Sequence, residues 1–197
     1  DIFADHPKLK DSSIDINIYV LEYYQSHWNQ VFNYQKIIAK GWKNKWPKLQ
    51  EILSELLNTG WSGIDNIYCN IGIAKIYPRY LNTYEFQICH FDPMEFSEGV
   101  ITHEVTHFLY FKKWKELFPK DKPSSFEAPH PFWYLSEITA PILNSNKKVL
   151  KLIPKAVTQG YPEDDNLIER FREIYKESKT IEEYLKSARK EILKTKI

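Results

Sequence analysis

Apolar residues along the chain fall first at helical and then at strand spacing. From Ile18 the positions Leu21, Tyr24, Trp28, Val31 and Phe32 recur at steps of three and four up to Ile38, which predicts a helix. Ile14, Ile16, Ile18 and Val20 alternate, so a short strand at its start competes with that assignment. Pro47, followed by Leu49, Ile52, Leu53, Leu56 and Leu57, opens a second predicted helix that Asn58-Thr59-Gly60 stops. Between Ile64 and Phe91 the residues become β-type, which predicts a small sheet. Within it Tyr84, Phe86, Ile88 and His90 share one face, and Glu85, Gln87 and Cys89 the other. A single hairpin centred near Arg79 sets Cys69 opposite Cys89.

Asp92, Pro93 and Glu95 read as a helix start: a cap, a proline in the first turn and an acid to follow. The helix so opened runs to about Phe118, where Pro119 ends it. A proline- and charge-rich loop follows as far as Pro131, which opens the helix P-F-W-Y-L-S-E-I-T-A; Pro141 is expected to kink or end it. Beyond Gly160-Tyr161-Pro162 come two amphipathic helices, the second capped by Thr180 with Glu183 at capping-box spacing. Neither an internal repeat nor a low-complexity stretch interrupts this order, so one mostly helical α+β domain is expected.

Charge narrows the partners. The 27 basic residues nearly balance the 26 acidic ones, so no global field points to nucleic acid or to an anionic membrane. Lys112-Lys113 and Lys147-Lys148 read as solvated faces. No apolar run approaches the roughly 20 residues of a membrane span, and the first ten residues lack the apolar core of a secretory signal. The chain does not begin with methionine, which leaves room for a removed upstream segment; a soluble protein is expected, cytoplasmic or secreted after processing. Two cysteines are too few for a disulfide framework, and Cys69 and Cys89 are read as a buried pair of small apolar side chains.

The stretch H-E-V-T-H, from His103 to His107, lies within the helix that follows the sheet. Residues four apart project from one helical face, so His103 and His107 can hold one ion between them. Glu104 sits on the flank of that face, within reach of a water at the metal without being a ligand. Zinc lowers such a water's pKa to roughly 7, and a carboxylate can take its proton and pass it to a leaving amine. The competing reading is a pair of hydrogen-bonded core histidines. It is disfavoured because the helix also carries Val100, Phe108, Phe111 and Trp114, and two imidazoles buried there each need partners that a metal replaces. His6, His27 and His90 read as packing or surface residues.

A catalytic zinc takes three protein ligands and leaves one position open. The continuation H-x-x-G-x-x-H is excluded, since Tyr110 and Lys113 stand at its glycine and histidine. Glu127, His130 and Glu137 remain as candidates, and Glu137 leads because it lies in a predicted helix among aromatic and small residues, where an unpaired carboxylate is costly. Together, H-E-V-T-H and W-Y-L-S-E-I-T-A (Trp133 to Ala140) resemble the gluzincin metallopeptidases, the thermolysin- and aminopeptidase-like class.

The resemblance covers two short segments between about Glu98 and Leu143. It implies a small zincin-like domain with a short mixed or antiparallel sheet: residues 1–118 carry the sheet and the HExxH helix, and a helical part, 119–197, carries the third ligand. It implies that His103, His107 and Glu137 bind Zn2+, that Glu104 is general base and acid, and that the substrate is a peptide or protein. It further implies that strand Tyr84 to His90 is a sheet edge on which an extended peptide is laid antiparallel. Ile138 replaces the usual glycine after the third ligand, narrowing the space beside the metal, and Pro141 stands where thermolysin-like members carry an acid that orients a zinc histidine. The family's oxyanion donor lies downstream; Tyr161 is the candidate, with Tyr134 and His130 as rivals. Two further readings stand beside the peptidase: a non-catalytic zinc-stabilised binding or regulatory protein, and a metal-free helical protein.

Overall fold

Local chemistry sets both ends of the longest element. In the computed structural model, which describes residues 5–160 and 165–195, helix α1 (Ile16–Leu57) starts where the Asp15 carboxylate accepts the amides of Asn17 and Ile18. It ends at Asn58, which is left-handed with φ 46°. The cap turns the Ile14 to Val20 alternation into a helix start, not a strand. The two expected helices are one, because Pro47 is carried inside α1. An internal proline costs about 3 kcal/mol. Burying Trp42, Leu49, Leu53 and Leu57 along one stripe gains about 1.5–3 kcal/mol for each side chain, and only a helix unbroken from Trp42 to Leu57 keeps that stripe in line. The kink in α1 falls earlier, at His27, with φ −113° and ψ 15°.

The sheet has three strands, β1 (Tyr68–Gly72), β2 (Arg79–Tyr80) and β3 (Glu85–Cys89), in the order β1-β3-β2. β1 runs parallel to β3 and β2 antiparallel to it, so the sheet is mixed. The hairpin that would set the two cysteines opposite each other does not form: Cys69 pairs with Phe86, Cys89 pairs with Gly72, and both thiols are free. Parallel strands cannot be joined by a tight turn, and here the crossover contains β2. β3 is therefore the central strand, bonded on both sides, and cannot be the substrate edge expected of Tyr84 to His90. Its Phe86 and Ile88 are buried, as the alternation requires.

Helix α2 (Met94–Leu117) follows, and almost every residue from Gly99 to Phe111 is buried. Asp92 does not cap it: Pro93 occupies the cap position, and the buried Asp92 carboxylate accepts the Tyr77 hydroxyl at 2.9 Å. Lys45 on α1 pairs with Glu98, and the Tyr34 and Ser97 hydroxyls meet, which ties α1 to the first turns of α2. Past a 3-10 turn (Pro123–Phe126), His130 Nδ1 accepts the Phe132 amide and starts α3 (Pro131–Asn144). Pro141 neither ends nor breaks α3; it sits in the last turn, where buried Ile138, Ile142 and Leu143 hold the helix to the core. The pattern did not predict α4 (Lys147–Leu152), whose 6 residues are too few to show periodicity.

Helices α5 (Asp165–Glu177) and α6 (Ile181–Ile192) complete the fold as expected, Thr180 accepting the Glu183 amide at 3.2 Å. α2 packs on α1, α3 and β3, and α6 closes over α3 and α5. Among the described residues no helix is long and apolar enough to cross a membrane.

Two features of the packing predict measurable effects. Lys113 is not on a solvated face: it is buried, with its ammonium on the Asn58 carbonyl at 3.0 Å and on the Glu182 carboxylate. That bond pulls the Glu182 pKa from 4.5 down to about 2. A depressed carboxylate stabilises the fold fully above its unfolded value and loses that contribution as pH falls through the folded one. Glu182→Gln is thus expected to cost about 1 kcal/mol at pH 7, with parent and variant converging as pH drops from 4.5 towards 2 in chemical denaturation. Gly99 allows α2 to approach the backbone at Lys155, whose carbonyl oxygen lies where a Cβ would go. Gly99→Ala should cost about 1–3 kcal/mol in the same assay.

Candidate metal centre

One turn of α2 separates the two histidines, and their rings converge. His103 Nε2 and His107 Nε2 stand 2.9 Å apart. Glu137 arrives from α3 between them, with Oε2 3.2 Å from His103 Nε2 and Oε1 3.5 Å from His107 Nε2. The three ligand atoms all lie within 4.8 Å of one another. The alignment of the two helices is held from beneath by a polar link: the Thr106 hydroxyl lies 3.1 Å from Asn144 Oδ1, and Asn144 Nδ2 donates to the Val157 carbonyl. Thr106 and Asn144 are fully buried, so these bonds are not exchanged for water.

His107 is fully buried, and burial together with the Arg79 charge pushes its pKa down to about 3; it is a neutral imidazole. Burial alone would raise the Glu137 pKa, but its hydrogen bonds with His103 and His107 outweigh it and hold this carboxyl below its ordinary range. Burial raises Glu104, with His103 and Arg79 pulling the other way. The histidine Nδ1 atoms are both buried without a partner among the described residues. Protons placed on Nδ1 are then unbonded, and protons placed on both Nε2 atoms oppose each other across 2.9 Å. A cation at the point shared by the two Nε2 atoms and Glu137 would remove the second conflict while placing both ring protons on Nδ1, and two imidazoles with a carboxylate are a donor set that fits a metal ion. His103, His107 and Glu137 form a group that can hold one.

Arg79 is the site residue that sequence reasoning missed. Its Nη1 donates to Glu104 Oε2 at 2.9 Å and its Nη2 to Glu137 Oε1 at 3.2 Å, so one guanidinium joins both carboxylates. The available signal was one of two cations in the β-type run, the other being Lys75, and nothing local named its partners.

The group opens on a cleft of about 460 Å³ whose walls include Tyr77, Arg79, Phe96, Glu104, Glu127 and Trp133. Val157, Gln159 and Gly160 form its far side. Tyr161, the expected oxyanion donor, lies outside the described residues. Of its rivals, His130 caps α3 and Tyr134 packs against the core. Glu127 faces the cleft without joining the ligand group. Ile138 does not narrow the space beside the histidines; it is buried in the core. His6 is buried with Nε2 on the Ile73 carbonyl at 2.6 Å, and His90 Nε2 meets the Tyr23 hydroxyl at 3.1 Å, so both have packing roles.

No family model matches this chain, and no curated protein and no solved structure matches it.

Proposed function

We propose that this protein is a zinc-dependent peptidase of the gluzincin kind, hydrolysing peptide bonds in a peptide or protein substrate. The carrying observation is the convergence of His103, His107 and Glu137 at the floor of a cleft, with Glu104 on the adjoining flank of the same helix. Two imidazoles and a carboxylate favour zinc over harder dications. Zinc held there supplies a Lewis acid that acidifies water and polarises a carbonyl.

The chain's own residues do the rest. His103, His107 and Glu137 would hold the ion from two helices, and as three protein ligands they would leave room beside it for a water. Glu104 accepts a proton from that water at a carboxylate oxygen and returns it to the leaving amine. Its burial, which raises its pKa, suits it to that exchange. Tyr77, Phe96 and Trp133 give the cleft aromatic walls on which substrate side chains can rest. Tyr161 remains the candidate to balance charge on the carbonyl oxygen, on the strength of the resemblance alone.

One observation favours the second reading, a zinc-stabilised binding protein without turnover: Arg79 holds the Glu104 carboxylate in an ion pair. The two readings separate on a single preparation. For the peptidase, chelation should abolish cleavage of a peptide library, and added Zn2+ should restore it. His107→Ala or Glu137→Ala should weaken zinc uptake by about a hundredfold or more. Glu104→Gln should keep zinc within a few-fold of the parent and lose about 10²–10⁴ of the cleavage rate. Zinc bound by the parent with no cleavage product across the library would select the binding protein instead.

A further inference from the structure

Two buried carboxylates, Glu104 and Glu137, are joined by one guanidinium, and only Glu137 belongs to the ligand group. Chemically they are the same donor. A dication draws any ionised carboxylate within reach, and a fourth protein ligand closes the corner that a hydrolytic site keeps open. Helix pitch sets Glu104 on the flank of the ligand face, and a contact that pins its side chain there keeps the two apart in function.

The Arg79 guanidinium stands between them. One prong takes Glu104 Oε2 and the other Glu137 Oε1, while Glu137 Oε2 remains against His103. The fork is planar and rigid, so it fixes the spacing of the two carboxylates as a lysine cannot. With a side chain only 8 % exposed, Arg79 is shielded from water, where such a pair would be weak. Its backbone is set by the sheet: Arg79 is in register with Phe86 on β3, and the Gln87 amide donates to the Pro78 carbonyl at 3.1 Å. The guanidinium carbon also lies 5.9 Å from the centre of the Phe111 ring, one turn beyond His107 on α2. The arginine is thus braced by both the sheet and the motif helix.

We propose that Arg79 is a positioning residue that holds Glu104 off the metal, dividing two like carboxylates into one ligand and one free base. This rests on the zinc reading above and adds to the helix geometry a side-chain contact that keeps Glu104 from becoming a fourth ligand. An arginine on a two-residue strand can do this because its two nitrogens reach groups 25 and 58 positions away in the chain.

Zinc affinity in a double-mutant cycle tests it without reference to activity. Chelator-buffered Zn2+ titrations would compare the parent, Arg79→Met, Glu104→Gln and the double variant. Glu104→Gln alone should change affinity by no more than about threefold, since Glu104 is not a ligand. Arg79→Met should bind zinc about tenfold tighter or more, as Glu104 swings onto the ion, and Glu104→Gln in that background should take the gain away. Arg79→Lys, which keeps the charge and loses the fork, should fall between. If Arg79→Met does not fold by circular dichroism, the same cycle with Arg79→Lys decides, with about threefold coupling expected. A tightening that persists in the double variant, or no tightening at all, overturns the role of Arg79 while leaving the zinc site in place. A parent that takes up no zinc removes the site itself, and this role with it.

Discussion

Helix α2 contributes two imidazoles and helix α3 one carboxylate, so the site exists only while these helices stay docked. Two kinds of contact hold them. The apolar part is the core around Leu109, Leu135 and Leu143, all fully buried, whose removal from water supplies the drive. The polar part is the Thr106 to Asn144 to Val157 link, which is directional and so fixes how far one helix may slide or turn on the other. Apolar burial alone tolerates small shifts in alignment. Ligand atoms within 4.8 Å of one another do not.

Burying so many ionisable groups in one place has a consequence for charge. Arg79 is a single permanent cation facing two carboxylates, and His107 is too deeply buried to share the load as an imidazolium. Both carboxylates are buried in a medium of low dielectric, where a dication beside them would be favoured. Arg79 makes the metal-free arrangement tolerable by giving each carboxylate one strong bond.

Proline was the least reliable guide along the chain. Pro47 and Pro141 both read as helix boundaries, yet both sit inside helices, because buried stripes on either side of them outweigh one missing hydrogen bond. Asp92 read as a cap and instead serves Tyr77. Asp15 and Thr180, by contrast, cap the helices that follow them, and their bonds reach only two or three residues ahead. The difference is one of range: a cap is satisfied by its own neighbours, whereas Asp92 had a distant hydroxyl to compete for it.

What the sequence determined by itself is the placement of His103, Glu104 and His107 around one face and flank of a helix. The pitch of an α-helix dictates that geometry once the segment is helical. It also determined the mostly helical character with a small sheet, the burial of Phe86 and Ile88 on β3 and the Thr180 cap, all consequences of periodicity or of contacts a few residues long. Tertiary structure decided the rest. Glu137 meets His103 across 34 positions, Arg79 reaches Glu104 across 25, and β3 lies between β1 and β2 because of how the crossover passes. Residues so far apart acquire neighbours only from the joint packing of whole elements, and no local pattern of apolar and polar positions encodes which packing that is.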